Sequence, residues 1–463
     1  MQVNRKENNA DKKTINKRIA LVVAVVLVFT CFFSLLVFSM LTNAEEYALK
    51  GVNAHLFENG VLINAGEILD ANGIRLAYSE NGQRKYNDNT DVRAALLHIL
   101  GDNKGFISDG IQDTFKKELC GYNIFTGVNT ESKSSLILTL DSELCAAAYN
   151  ILGKNKGCIA VCNYKTGELV CVASAPSYDI YNKPDDIDTN SAYEGIYINR
   201  FFDGLYTPGS IFKLVTAYAA IENIDDIFER EYVCNGADGN IICNDVHGKI
   251  TFKQALNQSC NVAFAEIANE IGPEVLQETV ESLGLTANYE TPDRISTAGG
   301  IFDIEKSDSY TEIGWAGIGQ STNLVNPYSF LTFVCAIANG GQAYEPYFVS
   351  NASDSNNIHK YEANKKMSGI DIAPTTASLL RDLMRSTVSD FYGDYMFGNV
   401  SMCGKTGTAE KDDGVSNALF VGFSDKESFP YAVIVIVEDS GSGLKYAGSA
   451  AAEIMQKVYN KYN

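Results

Sequence analysis

The chain has 463 residues, of which 46% are hydrophobic and 20% are charged, and its formal net charge is −20. This composition is that of a globular protein and excludes extensive disorder, and the length allows two or three folded units. The acidic balance argues against nucleic acid as a partner, because surfaces that bind nucleic acid are normally basic.

The first 41 residues predict a membrane anchor. Ile19–Leu41 contains no charged residue, and its 23 residues can span a hydrocarbon core of roughly 30 Å. Residues 1–18 carry six basic and two acidic side chains. The positive-inside rule therefore predicts a cytoplasmic tail at 1–18, a single transmembrane helix at 19–41 and an extracytoplasmic location for the rest. A cleaved signal peptide is the alternative, but the apolar run exceeds the usual length of about 7–15 residues.

Residues 42–134 are predicted to form a small α+β pedestal that joins the anchor to the next domain. Alternating apolar residues predict strands, a turn-forming segment predicts a hairpin, and helical periodicity appears twice. In chain order these are a strand at Leu62–Leu69, a turn at Asp70–Gly73, a strand at Ile74–Tyr78 and helices at Val92–Leu100 and Ile111–Leu119.

Residues 135–463 are predicted to form the main domain. Strands from both of its ends should make one antiparallel sheet, with a long and mostly helical segment inserted between them. The predicted elements are strands at Leu136–Leu140, Cys158–Asn163, Glu168–Ser174, Leu419–Phe423 and Tyr431–Val437, with helices at Ser142–Leu152, Gln254–Ala268 and Ser449–Tyr459.

Ten of the eleven cysteines follow the predicted anchor, scattered singly, and most are expected to be small buried hydrophobic residues. Cys234 and Cys243 bracket a turn-rich segment, where a hairpin can bring the two sulfurs within bonding reach. Asp245 and His247 follow at once, so a small zinc site is a competing interpretation. We favour a disulfide or free thiols there, and predict no metal ligand and no cofactor.

Ser210 and Lys213 form the first candidate catalytic motif, S-x-x-K. Pro208 and Gly209 mark a break, after which a helical pattern begins, so Ser210 lies in a first helical turn near unsatisfied backbone N–H groups. Lys213 lies on the same helical face, and a lowered pKa would let its neutral amine act as a base. Alone the motif is weak, because a capping serine and a surface lysine also fit it.

Two further motifs follow Ser210 in order. They are Ser259-Cys260-Asn261, in a stretch with helical periodicity, and Lys405-Thr406-Gly407-Thr408, close to the last strand pair. The trio S-x-x-K, S-x-N and K-T-G is characteristic of penicillin-binding proteins and class A β-lactamases. A second K-T-G at 165–167 precedes Ser210 and is explained by turn chemistry. Cys260 and Cys403 flank these motifs, but a catalytic thiol is disfavoured because neither has an evident base.

With its flanking segments, the chain resembles the class B penicillin-binding proteins with a short pedestal, from about Gly66 to the C-terminus. The segments that carry the resemblance are Gly66–Gly73, Thr166–Glu168, Ser174–Asp179, Gly317–Gln320 with Asn326-Pro327, Ala338–Gly341 and Gly404–Glu410.

The resemblance implies an α/β (α+β) serine transpeptidase/β-lactamase-like fold, with a five-stranded antiparallel sheet flanked by helices and a helical subdomain. It implies a peptidoglycan D,D-transpeptidase that cross-links D-Ala-D-Ala stem peptides through an acyl-enzyme and is covalently inhibited by β-lactams. It also implies a membrane glycosyltransferase of the SEDS type as partner.

The residue roles come from the same resemblance. Ser210 is the nucleophile, Lys213 its base, Ser259 a proton relay, Asn261 a hydrogen-bonding partner of the substrate amide, Lys405 a positive charge, Thr406 and Thr408 ligands of the substrate carboxylate within the motif that contains Gly407, and the N–H groups of Ser210 and Thr408 the oxyanion hole.

Two alternatives remain open. With water as the acceptor, the same acyl-enzyme would make the chain a D,D-carboxypeptidase or a β-lactamase. A non-enzymatic protein could instead serve mainly as a scaffold or activator of the glycosyltransferase. A sensor is disfavoured, because the 18 residues before the anchor are too few for a folded signalling domain.

Overall fold

The computed structural model describes residues 3–50, 56–58, 61–102, 104–107, 110–120, 122–123, 127–128, 134–305, 309–353, 359–410 and 414–463. The helices are α1 Val3–Ala48, α2 Thr90–Ala95, α3 Leu97–Leu100, α4 Ile111–Thr114, α5 Lys116–Cys120, α6 Ser142–Leu152, α7 Lys213–Asn223, α8 Phe252–Asn257, α9 Asn261–Ile271, α10 Pro273–Ser282, α11 Tyr310–Gly317, α12 Pro327–Ala338, α13 Pro374–Ser386 and α14 Ser449–Tyr462. The strands are β1 Phe57–Glu58, β2 Val61–Leu62, β3 Glu67–Leu69, β4 Arg75–Glu80, β5 Gln83–Tyr86, β6 Tyr122–Asn123, β7 Gly127–Val128, β8 Ser135–Leu138, β9 Gly157–Asn163, β10 Leu169–Ala175, β11 Glu231–Cys234, β12 Ala237–Asp238, β13 Ile241–Ile242, β14 Gly248–Thr251, β15 Val349–Ser353, β16 His359–Glu362, β17 Met402–Glu410, β18 Ser416–Ser424 and β19 Tyr431–Val437.

Helix α1 contains the predicted anchor. Within the described residues, one helical segment is long and apolar enough to cross a membrane, and it is Lys12–Ala44. Its apolar side chains are exposed. This agrees with membrane anchoring, since such a surface needs a lipid environment.

A five-stranded antiparallel sheet forms the centre of the molecule, in the order β10-β9-β19-β18-β17. Its first two strands come from residues 157–175 and its last three from residues 402–437, which confirms the prediction that strands from both ends of the main domain pair. Every residue of β10 and β19 is buried. Continuous apolar runs of this kind are typical of strands that are covered on both faces.

Helices cover the sheet in two pairs. Helices α6 and α14 contact each other and strands β9, β10 and β19, while α12 and α13 contact each other and strands β17, β18 and β19. Asp141 caps α6 by accepting hydrogen bonds from two backbone N–H groups, and Asn326 caps α12 in the same way before Pro327 at its first turn. The sequence therefore sets where these covering helices begin.

A six-stranded sheet, in the order β16-β15-β8-β3-β4-β5, combines strands from residues 67–86, 135–138 and 349–362. Strand β8, predicted as Leu136–Leu140 in the main domain, belongs to this sheet, where it pairs in parallel with β3 and antiparallel with β15. Residues from both sides of the predicted boundary at 134/135 therefore share one sheet. The division into pedestal and transpeptidase domains stays a prediction.

Three pedestal predictions were wrong in detail. The strand predicted at Leu62–Leu69 is two strands, because β2 pairs with β1 while β3 pairs with β4 and β8. Each of the two predicted helices is interrupted once, at Leu96 and at Phe115, and both of these side chains are fully buried. The turn at Asp70–Gly73 was right, since Asp70 accepts hydrogen bonds from the N–H groups of residues 72 and 74.

Candidate active site

Ser210 lies in a short 3₁₀ turn, Gly209–Phe212, that leads directly into α7. Lys213 is the first residue of that helix and is fully buried, and its Nζ lies 3.1 Å from the Ser210 Oγ. The spacing of three residues brings the two side chains to one face, as predicted. Ser210 itself is partly exposed, so its hydroxyl can be reached from solvent.

The Lys213 amine also contacts the second motif. Its Nζ lies 2.7 Å from the Ser259 carbonyl oxygen, 2.7 Å from Asn261 Oδ1 and 3.2 Å from the Ser259 Oγ. Burial lowers the pKa of Lys213 to about 7. A neutral amine has two N–H donors, which match the two short contacts to carbonyl oxygens. The nitrogen lone pair then remains to accept a hydrogen bond from the hydroxyl of Ser210 or of Ser259, which lie at 3.1 and 3.2 Å.

Ser259 occupies a strained position between α8 and α9. Its φ of +56° lies in the left-handed region, which costs a non-glycine residue on the order of 1–3 kcal/mol and is one of the strained conformations that cluster at active sites. Its Oγ is 3.0 Å from Lys405 Nζ and 3.2 Å from Lys213 Nζ. The Ser259 hydroxyl therefore bridges the two lysines.

The third motif lies on β17, the edge strand of the five-stranded sheet. Lys405 is fully buried, and burial together with the nearby charge of Lys213 holds the pKa of Lys405 well below its ordinary value. Thr406 is partly exposed and Thr408 is exposed. The strand thus combines a buried lysine with two threonines that are at least partly exposed.

Two glycines allow the nucleophile turn to approach this strand closely. Gly209 has a φ of +53°, and a Cβ there would lie 2.6 Å from the Thr408 carbonyl oxygen. A Cβ on Gly407 would lie 2.7 Å from the Pro208 carbonyl oxygen. Both distances are shorter than real Cβ contacts, so any larger residue would separate the backbone of Ser210 from that of Thr408.

Tyr392 was missed by the sequence analysis. It lies in the π-helical turn Thr387–Tyr392, and its hydroxyl is 2.8 Å from Thr406 Oγ1 and accepts a hydrogen bond of 3.1 Å from the Thr406 N–H. No motif surrounds Tyr392 in the sequence, so only the packing of α13 and the following turn against β17 reveals it.

All ten cysteines that follow α1 are free and buried, so the disulfide considered for Cys234 and Cys243 is not formed. Those two residues lie beside His247, as the zinc interpretation requires, and also beside Cys260. Asp245 contacts Cys234 through its backbone carbonyl and is not in the ligand group. A hydrogen bond with Cys243 raises the pKa of Cys260, and burial raises that of Cys403, which argues against catalytic thiols.

The structure thus brings the eight predicted site residues into one region, where Lys213, Ser259 and Lys405 are in contact and the 3₁₀ turn of Ser210 packs against the strand of Thr408. The family description "Penicillin binding protein transpeptidase domain" matches residues 157–460, about two thirds of the chain. The chain therefore belongs to the penicillin-binding protein transpeptidase family and is a serine-type transpeptidase.

Individual relatives of this chain have low sequence identity to it. The chain is 24% identical to the peptidoglycan D,D-transpeptidase PbpA of Mycolicibacterium smegmatis, over 94% of this chain and 96% of that protein. It is 27% identical to the stage V sporulation protein D of Bacillus subtilis, over 84% of this chain and 65% of that protein.

Solved structures share the fold. The D,D-transpeptidase domain of a peptidoglycan glycosyltransferase from Eggerthella lenta has a TM-score of 0.73 at 24% identity, covering 86% of this chain and 98% of that one. Penicillin-binding protein A of Mycobacterium tuberculosis, solved as a ceftriaxone acyl-enzyme complex, has a TM-score of 0.71 at 20% identity. The match covers 85% of this chain and 98% of that one.

Proposed function

We propose that this chain is a membrane-anchored peptidoglycan D,D-transpeptidase with Ser210 as its nucleophile. The observation that carries the proposal is the buried Lys213 amine, whose two short contacts to carbonyl oxygens leave its lone pair for the Ser210 hydroxyl. A base with a pKa of about 7 is suited to general-base catalysis near neutral pH.

Acylation begins when Lys213 takes the Ser210 proton and the Ser210 Oγ attacks the carbonyl carbon of the penultimate D-alanine. The negative charge that develops on the carbonyl oxygen is stabilised by the N–H groups of Ser210 and Thr408, each worth about 10²–10³ in rate. The proton then passes from Lys213 through the Ser259 hydroxyl to the nitrogen of the departing D-alanine, as their contacts allow.

The third motif recognises the terminal carboxylate of the stem. Thr406 and Thr408 offer hydroxyl groups, and the positive charge of Lys405 lies beneath them. Asn261 binds Lys213 through its oxygen and the Ile242 carbonyl through its nitrogen. The second N–H of that amide is available to the substrate amide. An amine from a neighbouring stem then attacks the acyl-enzyme and completes the cross-link.

The catalytic domain lies outside the cytoplasmic membrane. The apolar part of α1 spans the bilayer with the basic residues 1–18 in the cytoplasm. A SEDS-type glycosyltransferase is the proposed partner, because a membrane enzyme that polymerises glycan would meet the anchor and the pedestal.

Labelling of the full-length protein in detergent with fluorescent penicillin tests the nucleophile. We expect a covalent band for the wild type, none for Ser210→Ala, and an unchanged band for Ser442→Ala, which removes the exposed serine of another S-x-x-K segment. Labelling of Ser210→Ala, or none of the folded wild type, would contradict the proposal.

The acceptor is tested with nascent peptidoglycan as substrate. Cross-linked muropeptides that disappear in Ser210→Ala support transpeptidation. Release of D-alanine without cross-links would identify a carboxypeptidase. If cells that carry only Ser210→Ala grow normally while pedestal variants fail, scaffolding is the main role.

A further inference from the structure

Four potential metal ligands converge beside the second catalytic motif. Cys234 ends β11, Cys243 directly follows β13, His247 directly precedes β14, and Cys260 is the N-cap of α9. Their ligand atoms all lie within 4.8 Å of one another. The hairpin β12–β13 and the pairing of β11 with β14 bring three of these positions together, and the packing of α9 against β11 and β13 adds the fourth.

The distances fit a tetrahedral site. With metal–sulfur bonds of about 2.3 Å and metal–nitrogen bonds of about 2.0 Å, ligand atoms lie about 3.5–3.8 Å apart in a zinc tetrahedron. The Cys243 and Cys260 sulfurs are 3.7 Å apart, and His247 Nδ1 is 3.3 Å from the Cys234 sulfur. A disulfide would require about 2.05 Å between sulfurs.

The segment from 231 to 251 buries few apolar side chains of its own. Its buried residues are Tyr232, Cys234, Ile241, Cys243 and Ile250, whereas the large apolar side chains Val233, Ile242 and Val246 are exposed. The segment packs against α8 and α9, and a bound metal ion would add stability where its own apolar burial is small. Two of its five buried residues are cysteines that form no disulfide.

Backbone donors surround the sulfurs as in metal–thiolate sites. The Cys243 Sγ accepts hydrogen bonds from the N–H groups of Asn261 at 3.0 Å and Val262 at 3.4 Å. The Cys260 Sγ accepts one from the Ala263 N–H at 3.4 Å. Such bonds stabilise the negative charge of a thiolate and orient it toward the ion.

We propose that Cys234, Cys243, His247 and Cys260 bind one zinc ion in a closed tetrahedral site. Three thiolates and one imidazole favour zinc over the hard cations magnesium and calcium. Binding releases the thiol protons to solvent. Because four protein ligands fill the tetrahedron, the ion is structural and does not contact the substrate. This replaces the sequence-based preference for a disulfide or free thiols.

The site also holds the second catalytic motif, an inference that rests on the proposed function. Cys260 lies between Ser259 and Asn261, and Asn261 is tied to the same segment through Cys243 and the Ile242 carbonyl. A zinc ion there fixes the backbone on one side of Ser259, whose left-handed conformation places its hydroxyl between the two lysines. The ion therefore acts by positioning Ser259 and Asn261.

Elemental analysis of the full-length protein, purified in detergent from zinc-supplemented cells, tests the site. We expect one zinc ion per chain in the wild type and in Cys145→Ala, which removes a buried free cysteine from α6. Loss of an outer-shell partner of a metal site typically lowers the affinity for the metal about 10–100-fold. Cys243→Ala and His247→Ala each remove a direct ligand, so their affinity for zinc should fall by more than that. A wild type without zinc, or ligand variants that keep it, would overturn the site.

Cobalt substitution tests the metal site in the wild-type protein, without variants whose folding would have to be checked. Wild-type protein stripped with a chelator and reloaded with Co²⁺ should show thiolate-to-cobalt charge transfer in the near ultraviolet and the visible bands of a tetrahedral ion. Their absence would overturn the assignment.

The positioning role has a separate readout. The stripped wild type should acylate with penicillin at least about tenfold more slowly and recover with added zinc. An unchanged rate would refute the positioning role alone. Ser210→Ala should retain zinc without labelling, so failure of the proposed nucleophile remains distinguishable from failure of the metal site.

Discussion

At the scale of single residues, the protonation of Lys213 determines whether the site can react. The ammonium form has no lone pair and cannot accept the Ser210 proton, whereas the neutral form can. Burial favours the neutral form and brings the pKa to about 7, from an ordinary value near 10.5. Burial also lowers the pKa of Lys405, and so does the charge of Lys213. The amines of Lys213 and Lys405, which both contact the Ser259 hydroxyl, therefore disfavour a state in which both are protonated.

The acylation rate should therefore depend on pH. Below the pKa of Lys213, about 7, only the fraction that is neutral reacts, so the penicillin acylation rate should fall about tenfold per pH unit and level off above it. Rapid-quench labelling between about pH 5 and pH 9 measures this profile. Lys213→Arg should lose activity at every pH, while Lys445→Arg, at the exposed lysine of the other S-x-x-K segment, should keep the wild-type curve. A flat wild-type profile would exclude Lys213 as the base.

Tyr392 should act as a positioning residue for Thr406. Tyr392→Phe removes the hydroxyl that contacts both the side chain and the N–H of Thr406, and a hydrogen bond of this kind contributes about 0.5–1.5 kcal/mol. We expect the second-order acylation constant to fall about threefold to tenfold, through weaker binding more than through a slower chemical step. Tyr395→Phe, at a side chain that is 88% exposed, is the control. Equal rates in both variants would remove Tyr392 from the site.

At the scale of secondary-structure elements, the contact between the 3₁₀ turn Gly209–Phe212 and the edge strand β17 assembles the proposed oxyanion hole. The N–H of Gly209 donates to the Gly319 carbonyl at 2.8 Å, which fixes the turn from the other side. The two N–H groups proposed as oxyanion donors come from different elements, so their separation depends on how closely turn and strand pack.

Gly209→Ala should disrupt that packing. Its Cβ would lie 2.6 Å from the Thr408 carbonyl oxygen, and the turn must move away from β17. Loss of one oxyanion donor costs about 10²–10³ in rate, and we expect acylation to fall by that factor. Gly82→Ala also places alanine at a positive φ but meets nothing within 4 Å, so it controls for backbone strain. Stopped-flow acylation, with circular dichroism to check folding, separates the two effects.

At the scale of the whole molecule, a buried ion pair connects residues 42–134 with the sheet that carries the site. Arg93 on α2 binds Asp179 in a bidentate manner, with distances of 2.6 and 2.9 Å, and both side chains are at most 9% exposed. The Arg93 guanidinium lowers the pKa of Asp179. Asp179 follows β10 closely, so this pair couples the pedestal side to the edge of the central sheet.

Arg93→Ala should destabilise the whole chain. It leaves a buried carboxylate without its partner, which typically costs about 3–5 kcal/mol. Thermal unfolding of the full-length protein in detergent should show a clear decrease in Tm. Lys85→Ala breaks the exposed ion pair with Glu80 and should change Tm little. A similar Tm for both variants would show that the Arg93 pair does not couple the two parts.

The amino-acid sequence alone predicts features that depend on residues close together in the chain. A charge-free run of 23 residues predicts a membrane anchor, apolar runs predict four of the five central strands, and the order of Ser210, Ser259 and Lys405 indicates the family. Such signals are readable because helix and strand periods, and the spacing of residues within one motif, are local properties of the chain.

The tertiary structure decided which distant segments meet. It placed β8 in the six-stranded sheet and put Lys405 on an edge strand beside Ser259. It also brought Tyr392 to Thr406, and Cys260 to the group of Cys234, Cys243 and His247. The physical reason is that these contacts join residues far apart in the chain, and their formation depends on how whole strands and helices pack. Motif spacing carries no information about that packing.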